Sequence, residues 1–192
     1  PNTFYLFQQV YDKDGKAIQN AFVDRDGNGK ITEADRYLTG KSPMAKVFMG
    51  LSSEFTYRNW DLGFNLRANL GNYVFNSLAS GNSTTYNYSG KGFLVNYYEA
   101  IYKTGFTQIN STEQGASDYF LENASFLKMD NITLGYSFKK LFTNRLSGRI
   151  SASVQNVFTI TKYSGLDPET SAVDGSMWPR PRTFTLGINL NF

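Results

Sequence analysis

The sequence contains no histidine and no cysteine among its 192 residues. Histidine is the usual general base of enzymes and the commonest nitrogen ligand of metal ions, so its absence argues against most hydrolytic chemistry. The absence of cysteine excludes a disulfide scaffold. Since no nucleophile–base pair and no phosphate-binding loop is found either, we expect that the chain is not an enzyme, and we nominate no catalytic residue.

Long apolar runs and clusters of one charge are also missing. No run of about 18 apolar residues is present, which excludes a transmembrane helix. Charged residues make up 18% of the chain, and its formal net charge of +3 is not concentrated in a basic cluster, so nucleic acid is not an expected partner. The first residues lack the charged and apolar regions of a signal peptide, from which we expect a processed chain or a fragment.

Aromatic residues are abundant, at 16% of the chain, and a two-residue alternation is prominent. Near the carboxyl terminus every even position is large and apolar: Phe184, Leu186, Ile188, Leu190 and Phe192. The odd positions between them are small or polar: Thr185, Gly187, Asn189 and Asn191. This period indicates a strand with one apolar face and one hydrated face. Because about 9–11 tilted residues cross a bilayer, the pattern favours a transmembrane strand that ends on an interfacial aromatic.

The same alternation recurs upstream and predicts an all-β chain. Strands are expected at about 3–10, 46–57, 60–70, 124–138, 146–159 and 182–192. Short connections, Arg58–Asn59 and 139–145, alternate with long ones, 11–45, 71–123 and 160–181. Short periplasmic turns and long extracellular loops are typical of outer-membrane β-barrels. Six strands are too few for a barrel of at least about 8, so either the chain is the last part of a larger barrel or several chains close it together, and we favour the first.

Two details follow if the short turns are on the periplasmic side and the long loops are on the extracellular side. The aromatic residues Tyr57, Trp60, Phe138 and Phe192 would all lie at one membrane interface. Continuing the alternation of the fourth strand, however, places Lys128 and Asp130 on the lipid-facing side, where a lysine would cost about 2–4 kcal/mol at mid-membrane. Either that segment rises above the bilayer or the strand contains a bulge. We favour the first.

A twelve-residue stretch, 24–35, has the spacing of a calcium-binding loop. Side chains with oxygen ligands stand at positions 1, 3 and 5 of the loop, which are Asp24, Asp26 and Asn28. A glycine stands at position 6, Lys30 at position 7 offers its backbone carbonyl, and Asp35 at position 12 offers a carboxylate. The last is a shorter arm than the usual glutamate. The pattern predicts a structural Ca²⁺ that holds the first long loop. The alternative is a polar turn rich in Asp-Gly and Asn-Gly pairs with no ion.

Four stretches together, 23–35, 123–136, 153–169 and 178–192, resemble the SusC/RagA-type TonB-dependent outer-membrane transporters over essentially the whole chain. The resemblance implies a 22-stranded barrel of which this chain is a C-terminal part that supplies the last six strands. It also implies a location in the outer membrane of a Gram-negative bacterium as a multi-pass protein in contact with lipid. Partners implied are a SusD-like surface lipoprotein and TonB, the latter through an N-terminal part that is absent here.

The function implied by the resemblance is TonB-dependent import of an oligosaccharide, of the starch type or another glycan, or of a peptide. Two alternatives come from the residues: a secreted or surface β-sandwich that binds glycans with the help of the calcium loop, and an outer-membrane hydrolase. Asp167, Glu169 and Asp174 could be paired carboxylates for hydrolysis, but we expect a solvated loop there. No substrate-binding residue is nominated.

Overall fold

The computed structural model describes residues 3–88, 96–141, 146–175 and 178–191. These residues form two compact units, which are described separately. We call residues 46–70, 125–162 and 179–192 the sheet unit, and residues 1–45, 71–124 and 163–178 the loop unit.

Most of the regular structure is β-strand. The strands are β1 (Tyr5–Leu6), β2 (Gln9–Tyr11), β3 (Ala17–Phe22), β4 (Tyr37–Leu38), β5 (Val47–Tyr57), β6 (Trp60–Leu70), β7 (Tyr73–Asn76), β8 (Leu121–Asn123), β9 (Phe126–Leu141), β10 (Leu146–Thr161), β11 (Val173–Asp174) and β12 (Thr183–Asn191). Short helices are α1 (Ser77–Gly81), α2 (Ala100–Thr104) and α3 (Thr112–Gly115), and single 3₁₀ turns cover Glu33–Asp35, Thr85–Tyr88 and Asp118–Phe120. None of the helices in the described ranges is long and apolar enough to cross a membrane.

The sheet unit is one antiparallel sheet of five strands in the order β12–β10–β9–β6–β5. Strands β5 and β6 form a hairpin in which Val47 pairs with Leu70 and Tyr57 with Trp60, joined by Arg58 and Asn59. The predicted strands 46–57, 60–70, 124–138, 146–159 and 182–192 coincide with these five, with ends displaced by at most three residues. The alternation of apolar and polar residues locates these strands well, because the strand backbone itself directs successive side chains to opposite faces.

The predicted first strand, 3–10, is wrong. This segment forms two short strands in the loop unit: β1 pairs with β4, and β2 pairs with β3. Leu6, Phe7 and Gln9 are buried whereas Tyr5 is exposed, so burial does not alternate along the segment as it would in a strand between lipid and water. Short strands that pack against other chain segments do not need the alternation of a strand between lipid and water, so alternation cannot locate them.

The three long connections also carry structure of their own. The loop unit has a mixed three-stranded sheet in the order β11–β7–β8, in which β7 is parallel to β11 and antiparallel to β8. It also has two apolar clusters. One cluster contains Ala79, Ala100, Phe106 and Phe120, and the other contains Val74, Ala124 and Tyr163. The long connections are therefore packed against one another, in keeping with the rarity of long structureless loops in compact proteins.

Candidate functional site: a two-faced sheet and an acidic loop

One face of the five-stranded sheet is apolar from edge to edge. The strand register aligns one row across it that consists of Phe55, Leu62, Leu134, Ala152 and Leu186. The side chains are largely uncovered: Leu186 is 72% exposed and Phe184 is 73% exposed. Soluble monomers rarely expose a continuous apolar surface of this extent, so this face requires an apolar surrounding or partner.

Aromatic side chains gather at the hairpin end of this face. Tyr57, Trp60 and Tyr136 lie in one row of the register, and the rings of Trp60 and Tyr136 are 4.8 Å apart between centroids. Phe138 lies one row further on, opposite Gly148. Phe192 and residues 142–145, which carry the rest of the predicted aromatic band and the second short turn, lie outside the described residues.

The opposite face of the sheet is polar and is crossed by ion pairs. Asp61 of β6 and Arg149 of β10 form a salt bridge over the intervening strand β9, with Arg149 Nε donating to Asp61 Oδ1 at 3.0 Å. The bridge passes directly above Gly135, whose position would place a Cβ atom against both partners. A glycine in the middle of β9 is therefore what allows the two charges to meet across the strand.

A bulge in β9 changes the predicted facing of Lys128 and Asp130. Asn65 pairs with Asn131, but the next residue of β6, Leu66, pairs with Met129, so Asp130 is the extra residue. The bulge shifts the alternation and brings Asp130 to the polar face, where Arg67 holds it through two hydrogen bonds.

Lys128 consequently lies opposite Arg67 in the register, on the polar face, and is 5% exposed. The extra residue removes the conflict by itself, so a segment raised above the bilayer is the wrong explanation for these two charges and the bulge is the right one.

The acidic loop 24–35 brings three predicted ligands together. The carboxylate oxygens of Asp24, Asp26 and Asp35 lie within 4.8 Å of one another. Asp24 accepts hydrogen bonds from the backbone N–H groups of Gly27 and Gly29, both at 2.7 Å. Gly29 has φ = +79°, a left-handed conformation that suits glycine at the tight turn. The side-chain oxygen of Asn28, also a predicted ligand, accepts a hydrogen bond from the backbone N–H of Lys30 at 2.8 Å.

Asp35 anchors the end of the acidic loop. It is fully buried and accepts hydrogen bonds from the backbone N–H groups of Thr32 (2.7 Å) and Arg25 (2.8 Å). These bonds, that of Thr32 first, hold the pKa of the Asp35 carboxyl below its usual value, because they stabilise the charged form. Asp35 and Thr32 also form a capping box on the 3₁₀ turn Glu33–Asp35. The carboxylate cluster can bind a hard cation through oxygen.

A buried hydrogen-bond network in the loop unit was not foreseen from the sequence. Gln9 donates to three backbone carbonyls, of Val10, Ile18 and Ala21, at 2.7–3.1 Å. Its side-chain oxygen accepts from Gln114 Nε2 at 2.8 Å and Ser117 Oγ at 3.0 Å. One amide thus joins the beginning of the chain to residues more than 100 positions away. Nothing in the sequence marks Gln9, since its partners are defined only by the packed loops.

Two further carboxylates hold the loop unit together. Asp118 accepts from the backbone N–H of Gln9 at 2.9 Å and from the Tyr37 hydroxyl at 2.6 Å. Burial, with the contribution of the hydrogen bond to Asp118, raises the pKa of Tyr37 to about 12. Asp174 accepts from the Tyr163 hydroxyl and from the backbone N–H of Leu166, at 3.1 and 3.0 Å. Asp174 is fully buried, so the expectation of a solvated carboxylate is wrong for it.

Comparison with known proteins gives a consistent result. No family model matches the sequence. The chain is 46% identical to the TonB-dependent receptor SusC of Bacteroides thetaiotaomicron, over 100% of the chain and 19% of SusC. It is 29% identical to the TonB-dependent receptor P3 of Formosa agariphila, over 89% of the chain and 19% of P3. The chain therefore spans about a fifth of the length of the curated relatives it matches.

Solved structures share the fold. A chain in the RagAB peptide importer in its closed-closed state superposes with a TM-score of 0.71 at 24% identity, over 100% of this chain and 23% of that one. A chain in a second structure, of the RagAB peptide transporter, gives 0.72 at 22% identity, over 100% and 23% of the two chains.

Proposed function

The chain belongs to the SusC/RagA-type TonB-dependent transporters, and we propose that it forms part of the wall of an outer-membrane importer. The observation that carries this proposal is the contrast between the two faces of the sheet. One face is apolar across all five strands, with Leu186 and Phe184 mostly exposed. The other face carries salt bridges between strands. A strand between lipid and an aqueous interior has this division of side chains.

The proposed ligand is an oligosaccharide, of the starch type or another glycan. Support comes from 46% identity to SusC, which exceeds the identity to the chains of the RagAB peptide importer. We infer a SusD-like surface lipoprotein and TonB as partners on the same ground. Uptake of malto-oligosaccharides and of peptides of equal length by cells that depend on this transporter separates the two ligand classes. Growth on peptides alone would contradict the glycan proposal.

The membrane-facing surface can be tested by one pair of substitutions in the complete transporter. Leu186→Arg places a charge in the middle of the apolar face and is expected to cost about 2–4 kcal/mol near the bilayer midplane. Thr185→Arg places the same charge on the opposite face of the same strand. The measurement is the fraction of protein that reaches the outer membrane in folded, heat-modifiable form. Equal assembly of the two variants would overturn the proposal.

A secreted β-sandwich is the competing fold for the same alternation. In a sandwich, a second sheet covers the apolar face and buries its side chains. The exposure of Phe184, Leu186 and Ile188 favours a surface made for lipid instead. Expression of the chain without detergent provides the check, because a sandwich would be soluble and monodisperse.

We also propose that the acidic loop binds a structural Ca²⁺. Support comes from the spacing of residues 24–35 and from the proximity of the three carboxylates of Asp24, Asp26 and Asp35. Three carboxylates so close repel one another, and a divalent cation would relieve that repulsion. In the complete transporter, chelation should make the loop sensitive to protease, and Asp24→Ala with Asp26→Ala should abolish this difference.

Asp14→Ala is the matched control for the calcium test, since Asp14 is an exposed carboxylate in the preceding turn. Its variant should keep the effect of the chelator. Digestion of the unaltered protein at the same rate with and without chelator would exclude calcium at this loop and would leave the transporter proposal untouched.

A further inference from the structure

An open cavity of about 390 Å³ lies on the polar face of the sheet unit, between the ion pairs Asp61–Arg149 and Arg67–Asp130. Its lining includes Ser52, Glu54, Gly63, Asn65, Asn131 and Thr133. The register places these residues in two neighbouring rows across β5, β6 and β9, so paired strands form the floor. The volume is within the usual range of small-molecule sites, about 300–1,000 Å³.

Gly63 leaves the middle of the cavity open. The register places it between Glu54 on one side and Thr133 on the other. Among the described residues, a Cβ atom added to Gly63 would meet nothing closer than the carbonyl oxygen of Ser53, at 3.9 Å. By contrast, the space above Gly135 on the same face is filled by an ion pair. A ligand can therefore approach the backbone of β6 closely at Gly63, because glycine has no side chain.

The neutral side chains around Gly63 offer both donors and acceptors. Asn65 Nδ2 donates to Asn131 Oδ1 at 2.9 Å, which fixes the two amides relative to each other. The other ends of this pair, Asn65 Oδ1 and Asn131 Nδ2, have no hydrogen-bond partner within the described ranges. The same holds for the hydroxyl groups of Ser52 and Thr133 in that part of the chain. Since amides and hydroxyls donate and accept, the cavity complements a ligand that does both.

Glu54 supplies the charge of this lining. Its side chain is exposed and accepts no hydrogen bond from the described residues. Arg149 lies close enough to attract Glu54, but the hydrogen bonds of its guanidinium go to Asp61. A carboxylate in this setting repels anionic ligands and accepts hydrogen bonds strongly. Its two oxygens can accept from two adjacent hydroxyl groups at once.

We propose that this cavity is a subsite for a neutral sugar unit. Two adjacent hydroxyls of the sugar donate to Glu54, its other hydroxyls bond to the amides of Asn65 and Asn131, and its ring lies over Gly63. The backbone of a peptide offers no pair of adjacent hydroxyls and matches this lining less well. The inference rests on the proposed import of a glycan, and it adds the place on the wall where a sugar is held.

The test follows Glu54 itself in the complete transporter, purified in detergent. A carbodiimide with glycinamide converts accessible carboxylates to amides, and mass spectrometry measures the rate at each residue. Because the rate follows the unoccupied fraction, saturating maltotriose should slow the labelling of Glu54 about tenfold. Triglycine should leave it unchanged, and Asp14, an exposed carboxylate of the loop unit, should be labelled equally in all samples. Labelling of Glu54 that ignores maltotriose, or that triglycine slows as much, refutes the sugar subsite.

A pair of glycine variants then locates the ligand. Gly63→Val fills the open space at the centre of the cavity and should abolish the protection of Glu54 by maltotriose. Gly50→Val is the matched control, because Gly50 lies in β5 outside the lining and an added Cβ there also meets nothing within 4 Å. That variant should keep the protection. Full protection in Gly63→Val would place the sugar elsewhere and overturn the proposal.

The two levels of inference fail differently. Cells that take up malto-oligosaccharides through a transporter whose Glu54 is not protected would contradict the subsite alone. Cells that take up peptides and no malto-oligosaccharide would contradict the glycan proposal, and the subsite with it.

Discussion

Gly148 provides a sharp test of the packing between the last strands of the sheet. It lies in β10, opposite Phe138 of β9 and Leu190 of β12. A Cβ atom added there would collide with the backbone carbonyl oxygen of Asn189 and would lie 2.8 Å from Phe138 Cζ and 3.1 Å from Leu190 Cδ2. Comfortable carbon contacts are about 3.5–4.0 Å, so β12 would have to move away from β10.

We expect Gly148→Ala to destabilise the protein by about 1–3 kcal/mol, the usual range for overpacking. The upper part of this range applies, because the obstacle is a strand backbone that cannot rotate aside as a side chain can. A shift of β12 also disturbs its ladder with β10, which runs from Ser147–Asn191 to Gln155–Thr183.

The assay for Gly148→Ala is the urea midpoint of the complete transporter in detergent, followed by heat-modifiable mobility on gels. Gly50→Ala is the matched control, because Gly50 lies in β5 of the same sheet and an added Cβ there meets nothing within 4 Å. That variant should be neutral or stabilised by up to about 1 kcal/mol through the unfolded state. Equal midpoints for the two alanine variants would refute the close approach of β10 and β12.

Three further predictions concern the loop unit. Gln9→Leu leaves the buried donors of Gln114 and Ser117 without their acceptor, which costs about 1–3 kcal/mol for each donor. Amide hydrogen exchange in β2 and β3 should therefore be faster in this variant than in the unaltered protein, whereas the control Gln8→Leu should not change it. Equal exchange rates in the two variants would contradict this role of Gln9. The pKa of Tyr37 is raised from 10.0 to about 12, so the neutral hydroxyl is favoured in the folded protein. The contribution of Tyr37 to the free energy of unfolding is therefore complete below pH 10 and is lost as the pH rises toward 12. Tyr37→Phe should remove that alkaline loss from the urea midpoint, and an unaltered pH profile would refute the raised pKa of Tyr37. Because the pKa of Asp35 is lowered from 3.8, its stabilisation of the acidic loop holds above that pH and disappears below it. Protease resistance of the loop should fall on acidification, and Asp35→Asn should abolish the fall; a variant that still shows it would argue against this anchor.

The strands of the sheet could be predicted because alternation is written into each strand separately. Side chains of successive residues in a strand point to opposite faces, so Leu186, Ile188 and Leu190 lie on the same face whatever the neighbouring strands are. The acidic loop is similar, since Asp24, Asp26 and Asp35 converge through local turns around Gly27 and Gly29. Both features depend on contacts within about a dozen residues of chain.

The features that the sequence concealed depend on distant partners. One extra residue, Asp130, reverses the facing of Lys128, and only the pairing of β9 with β6 shows where that residue is inserted. The salt bridge between Asp61 and Arg149 needs both the strand order and the small size of Gly135 between them.

By itself, then, the sequence determined the strand positions, the apolar face and the spacing of the acidic loop, because each is set by backbone geometry over a few residues. The tertiary structure decided that residues 3–10 join the loop unit, that Gln9 and Asp174 are buried, and which charges meet across the sheet. Those outcomes depend on register, bulges and the packing of segments up to 109 residues apart, as in the bond from Gln9 to Asp118. A local pattern cannot specify them, since the free energy that selects them arises only when the segments are in contact.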